Sequence, residues 1–182
     1  TGSNVSVSGI VNMASPTGGA AVGGLVRSND SLIEDSDSSA EVNLTSAGGG
    51  GGLSGIGGLV GNNIGTINRS HATGNVTVNN SATGVDLSVG GYVGIETGQI
   101  DNSYALGNVA VNDAGTDAPI AAGGFAGRHN GEIDTSYSTG SDVETGAAAN
   151  IGGFAGLFDG IVSPIISFDP GLRTTFWDTE TS

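Results

Sequence analysis

Few groups in this chain are able to move a proton or hold a cation: two histidines, His71 and His129, and eighteen Asp and Glu, with no cysteine to add a thiolate. Ser70 beside His71 has the makings of a nucleophile and its base. Neighbouring residues of a strand point to opposite faces, however, so His71 is not placed to take the Ser70 proton. Five carboxylates crowd one stretch: Asp30, Glu34, Asp35, Asp37 and Glu41. Calcium takes roughly six to eight oxygen ligands, which makes this stretch the candidate Ca2+ site of the sequence. Asp35, Ser36 and Asp37 lack the glycine and closing glutamate of an EF-hand loop, and a solvated acidic loop is the simpler reading. No other cofactor is expected.

Carboxylate pairs suggest glycoside chemistry. Asp101 and Asp134 hold the same position in successive copies of a repeat, and stacking at the ~4.8 Å strand spacing would bring them within the ~5–9.5 Å a glycosidase uses. Strand-edge acids facing solvent are the plainer reading. A polysaccharide lyase needs a base opposite a charge-neutralising group, yet the only strong cations are the scattered Arg27, Arg69, Arg128 and Arg173. The glycine runs are not phosphate cradles, because no G-K-[ST] or strand-to-helix context follows them. A flat threonine face for ice is a minor option, since Thr77 gives way to Ala110 and Glu144 in the next copies. The chain is therefore expected to be non-catalytic.

The elements carrying these residues are repeats. Three copies align directly: GGLVGNNIGTINRSHATGNVTV from Gly57, GGYVGIETGQIDNSYALGNVAV from Gly90 and GGFAGRHNGEIDTSYSTGSDVE from Gly123. A degenerate copy starts at Gly23 and a broken one at Gly152. Leu25, Leu59, Tyr92, Phe125 and Phe154 form one column, flanked by Val26, Val60, Val93, Ala126 and Ala155. Ile33, Ile67, Ile100, Ile133 and Val162 form another, and Val42, Val76, Val109 and, after a one-residue insertion, Val143 a fourth. Such columns predict inward ladders that no single copy can bury without its neighbours. Recurrent glycines, as at Gly61, Gly94, Gly127 and Gly156, predict corners that need positive φ or leave no space for a Cβ. The fold expected is all-β: a parallel right-handed β-helix, or β-solenoid, of about five coils of ~33 residues with about three short strands each. Residues 1–22 read as an entering half-coil, 23–162 as the solenoid and 163–182 as a C-terminal cap or exit segment. The run GGGGGLSG from Gly48 reads as a flexible loop, and His71, Tyr104 and Tyr137 as a packing or surface ladder.

The unit GGLVGxNxGxIxNSYATGxV resembles the GLUG motif, which occurs in tandem in large bacterial and archaeal surface proteins, among them filamentous-haemagglutinin-like adhesins. The resemblance spans about residues 23–162, and the closing FWDTETS is similar to the segment that ends such arrays. It implies a right-handed β-helix inside a large exported protein. It does not imply the zinc peptidase activity of some carriers, because His71 and His129 do not form H-E-x-x-H.

Composition agrees with an exterior role. Thirty-five glycines and a net charge of −14 describe a small-residue, acidic surface that repels nucleic acid and anionic lipid heads. No apolar run is long enough to cross a membrane as a helix, and membrane insertion is not expected. Thr1 opens no export signal, so any signal peptide or anchor is expected to lie outside these residues. The expectation is an extracellular or cell-surface segment that is structural or adhesive. Its partners would be a cell-surface or matrix glycan or protein, or copies of itself in an extracellular fibre or viral spike. A polysaccharide-active β-helix enzyme is the third reading.

Overall fold

The computed structural model describes residues 2–15, 21–47, 49–114, 119–140, 142–145 and 149–158. Within them the chain is all-β, a solenoid of about four turns set about 33 residues apart. Among the described residues no helix is long and apolar enough to cross a membrane. The strands stack into five parallel sheets of five. One coil shows the course of all: a first face Val60–Asn63, a second Thr66–Asn68, a third His71–Ala72, a fourth Val76–Asn80 and a fifth Thr83–Gly90. Each coil thus has five strands where about three were expected. Short polar corners between the second, third and fourth faces break what the sequence pattern alone merges into one strand.

Register follows the sequence columns. Val60 pairs with Val26 and Val93, Ile67 with Ile33 and Ile100, Ile100 with Ile133, and Val76 with Val42 and Val109. The column of Leu25, Leu59, Tyr92, Phe125 and Phe154 falls at the turn before the first face, where each backbone N–H donates to the next member's carbonyl at 2.9 Å. Its rings stack, with Tyr92 and Phe125 centroids 4.6 Å apart and Phe125 and Phe154 4.9 Å apart. One column departs from expectation. Val109 pairs with Asp142, and Val143 lies beside Ala110, so the strand runs on without the inserted residue assumed at that point. Continuous pairing keeps every backbone partner, which an insertion would interrupt.

The core is double. Val42, Leu44, Val76, Val78, Leu87, Val89 and their neighbours on the fourth and fifth faces form one cluster, and Leu59, Ile67, Tyr92, Ile100 and Phe125 belong to a second on the first three faces. The glycine at the second place of four of the five first-face strands, Gly61, Gly94, Gly127 and Gly156, explains the division. A Cβ on Gly94 would strike the backbone of Gly55 and Ile56 on the fifth-face strand Gly49–Gly57 two coils earlier, and one on Gly127 the backbone of Ser88 and Val89 on Thr83–Gly90, likewise two coils earlier. First and fifth faces therefore touch backbone to backbone, with apolar side chains turned away on either side. These glycines answer the lack of space. Among the described residues positive φ occurs at only two glycines, Gly9 and Gly84.

Left-handed backbone instead forms a column without glycine: Asn4, Asp35, Arg69, Asn102 and Thr135, each with φ between 47° and 54°. It is the corner between the second and third faces. Asn and Asp tolerate this region better than other L residues, whereas β-branched Thr135 is strained in it. The glycine run was a second correction. Gly49–Gly57 is a strand, paired with Thr83–Gly90 and with Val22–Gly23. Sheet partners on both sides supply its hydrogen bonds and outweigh the weak strand preference of glycine. The cap expected over 163–182, and Val162 with it, lie outside the described residues.

Candidate functional site

The serine preceding each third face is where a nucleophile was considered, and its position in the fold assigns it other work. Ser36, Ser70, Ser103 and Ser136 are all buried. Each hydroxyl donates to the carbonyl two residues back, at 2.8–2.9 Å, onto Glu34, Asn68, Asp101 and Asp134. Each also accepts from the coil before it: the Ser36 N–H donates to Ser70 Oγ at 3.1 Å, Ser70 N–H to Ser103 Oγ at 3.3 Å and Ser103 N–H to Ser136 Oγ at 3.2 Å. The left-handed residue turns the chain so that this hydroxyl faces inward. Donor and acceptor are both occupied, and the column is a hydrogen-bonded seam running across coils.

The residues that follow point outward. His71 pairs with Asp37 and with Tyr104, and Tyr104 with Tyr137. His71 and Tyr104 stack at 4.7 Å and Tyr104 and Tyr137 at 5.3 Å, nearly parallel. The surface ladder read from the sequence is present. Because the faces of Tyr104 are covered by its two neighbours, the column offers solvent ring edges and phenol hydroxyls. Asp37 continues it upward, accepting from Ser6 Oγ at 2.7 Å.

The five acids of the candidate calcium stretch are dispersed. Arg69 bridges two of them, reaching Glu34 at 2.6 Å and Asp35 at 2.7 Å. Its hydrogen bond holds the Asp35 carboxyl below the usual carboxylate range. Asp37 is engaged with Ser6, Asp30 is exposed beside Ser28, and Glu41 is exposed on the fourth face. Among the described residues no three His, Asp or Glu converge as a metal-holding group. Asp101 and Asp134 do pair in register. Asp101 accepts from Gln99 Nε2 at 3.0 Å and Asp134 from the Thr135 N–H at 2.8 Å, which is the geometry of surface acids tied to their own coils. Comparison with protein-family models, curated proteins and solved structures gives no match.

One polar column escaped the sequence reading. At the last residue of the first face, Asn29 Nδ2 donates to Asn63 Oδ1 at 2.7 Å, and Asn63 Nδ2 donates to both carboxyl oxygens of Glu96, at 2.9 and 3.2 Å. Glu96 is 0% exposed, and burial pushes its carboxyl up to about 8. His129 is its register partner in the next coil, and burial lowers that imidazole. The signal was present as N-N-E-H at a constant offset after each Gly-Gly pair, but unlike residue types concealed it. Tyr92 is a second buried polar group. Its hydroxyl lies by Ser70 and Ser103 without reaching hydrogen-bond geometry, and burial raises the phenol.

Proposed function

We propose that this chain is a non-catalytic scaffold segment of a large secreted or cell-surface protein, presenting a lateral surface to a glycan or protein partner. One observation carries the reading: the serines considered as nucleophiles, Ser70 and Ser103, are engaged on both sides by the inter-coil seam, and His71 beside Ser70 stands on the outward ring column. The resemblance to GLUG arrays points the same way. The exterior repeats like residues from coil to coil, as in the ring-edge column of His71, Tyr104 and Tyr137 bordered by Asn68, Asp101 and Asp134. Its net charge of −14 favours neutral or cationic partners over nucleic acid. Binding of the immobilised chain to glycan and matrix-protein arrays, reduced by a Tyr104→Ala, Tyr137→Ala double variant, is the expected result. Turnover of a polysaccharide, abolished by Asp134→Asn, would refute the non-catalytic reading.

A second reading is self-association. Ile10 is 62% exposed and Met13 is exposed on the same strand, Ile10–Ser15, the outermost described strand of its sheet, where a further strand could pair. Screening the acidic surface with salt should then raise the scattering mass, and Ile10→Lys should reverse it.

A further inference from the structure

The column Asn29, Asn63, Glu96 is built to one design. In each asparagine rung the amide nitrogen donates to the carbonyl two residues on: Asn29 Nδ2 to Ser31 at 3.2 Å and Asn63 Nδ2 to Gly65 at 3.1 Å. Those carbonyls also accept the backbone N–H of Thr66 and of Gln99, so each takes two donors. At the third rung the equivalent carbonyl, that of Gly98, accepts the Glu132 N–H at 2.9 Å. A second donor matching those of the asparagine rungs would have to be a Glu96 O–H. A carboxylate has none to give, whereas a protonated carboxyl has an O–H where asparagine has its N–H. The carboxyl also accepts from Asn63 Nδ2, more closely at Oε2 (2.9 Å) than at Oε1 (3.2 Å), and from the Gly98 backbone.

The setting favours the neutral form. Glu96 is sealed beneath Gly131, where a Cβ would come within 2.8 Å of Glu96 Oε1. The neighbouring rung Asn63 is neutral, and burial disfavours the ionised carboxylate. The strands packed on Val93–Glu96 are Val60–Asn63, Ala126–His129, Gly49–Gly57, Thr83–Gly90 and Val22–Gly23. They contribute as ionisable groups only Arg128, His129 and Asp86, and Tyr92 adds its phenol from the same coil. We propose that Glu96 is a protonated rung that completes the asparagine ladder, and that its ionisation makes the middle coils a pH-sensitive element that loosens as solution turns from acid to mildly alkaline.

The sign follows from linkage. Glu96 titrates near 4.5 when unfolded and about 8 when folded, so its contribution is complete below 4.5, declines as pH rises and is gone by about 8. His129 acts oppositely. Its folded value lies below 6.5, so it lowers stability as pH falls beneath 6.5 and is silent above. The two oppose each other in the acid range, leaving Glu96 alone between 6.5 and 8. There the unfolding equilibrium constant should rise by nearly tenfold per pH unit at first and less steeply as 8 is approached, about fifteenfold in all.

Denaturant unfolding at pH 6.5, 7.25 and 8 tests this on wild type, Glu96→Gln and Glu96→Asn. Both variants supply an amide donor, and Asn repeats the rung already used at positions 29 and 63. Expected are a falling midpoint in wild type and a flat one in whichever amide variant folds. Infrared spectra at pH 6 should show a protonated carboxyl band in wild type that Glu96→Gln lacks. A flat wild-type profile, an equal slope in the variants, or no such band would each overturn the proposal.

Discussion

Replacing Ser136 by alanine tests whether the serine column is a structural seam. The variant removes the hydroxyl that accepts the Ser103 N–H at 3.2 Å and donates to the Asp134 carbonyl at 2.8 Å. The Asp134 carbonyl keeps the Asn102 N–H as donor. The Ser103 amide, one coil away and buried, loses the acceptor it has. An orphaned buried donor costs about 1–3 kcal/mol, and alanine fills the site without overpacking, so a loss near 2 kcal/mol is expected. At about 1.4 kcal/mol per decade, hydrogen exchange of the Ser103 amide should accelerate roughly ten- to a hundredfold. Thr139, exposed three residues on, is the control, and Thr139→Ala should change stability by less than about 0.5 kcal/mol. Equal effects of the two variants, or unchanged exchange at Ser103, would refute the seam. Ser136 was chosen because Ser70 and Ser103 border the Tyr92 hydroxyl, which could shift to replace a lost partner.

Three further outcomes follow from the same geometry. Ile100→Asp places an unpaired carboxylate between Ile67 and Ile133 and should abolish cooperative thermal unfolding or lower its midpoint sharply, while Asp101→Asn, on the outward side, should leave it nearly unchanged. Thr135→Asn relieves a β-branched residue at φ 48° and should stabilise by roughly 1 kcal/mol in denaturant titration, a loss of stability counting against the strain. Tyr92→Phe removes a buried hydroxyl lacking a hydrogen-bond partner, leaves the stack on Phe125 and should be neutral or stabilising by about 1 kcal/mol, so that a loss above that size would mean the hydroxyl is bonded.

Why some of this was legible in the sequence and some not is a matter of what self-similarity records. Apolar columns repeat their residue type, because a stacked isoleucine buries best on another isoleucine, and Ile33, Ile67, Ile100 and Ile133 announce their register directly. The glycine columns were equally visible, but residue type does not separate a positive φ from a missing space. Gly94 pressed on Gly55 and Ile56 required the coordinates of another coil. The left-handed corner was invisible for the opposite reason. Asn4, Asp35 and Asn102 suit the turn, but Arg69 and Thr135 break the pattern, and there the serine seam behind them holds the turn against the residue's own preference. Asn63 above Glu96 was hidden likewise, because a carboxyl and an amide look unlike until one asks which atoms must donate.

The contrast between the inward and outward columns bears on function. A catalytic centre requires unlike groups to converge on one point: a base, an acceptor and a stabiliser of charge within about 3 Å of the reacting atom. Stacking of near-identical coils does the reverse, setting like groups in rows at the strand spacing of ~4.8 Å. Where the rows of this chain do bring unlike groups together, as at Asn63 and Glu96 or Arg69 with Glu34 and Asp35, the pairs satisfy one another. Outside, the fourth-face positions Asn43, Thr77 and Ala110 vary while Val42, Val76 and Val109 beside them do not. The inner columns hold the register, and outward positions of the fourth face change from coil to coil without disturbing it, while the third-face ring column repeats. Under the scaffold reading proposed above, recognition would be spread over several coils, so that single outward substitutions should weaken a partner's binding in small, roughly additive steps.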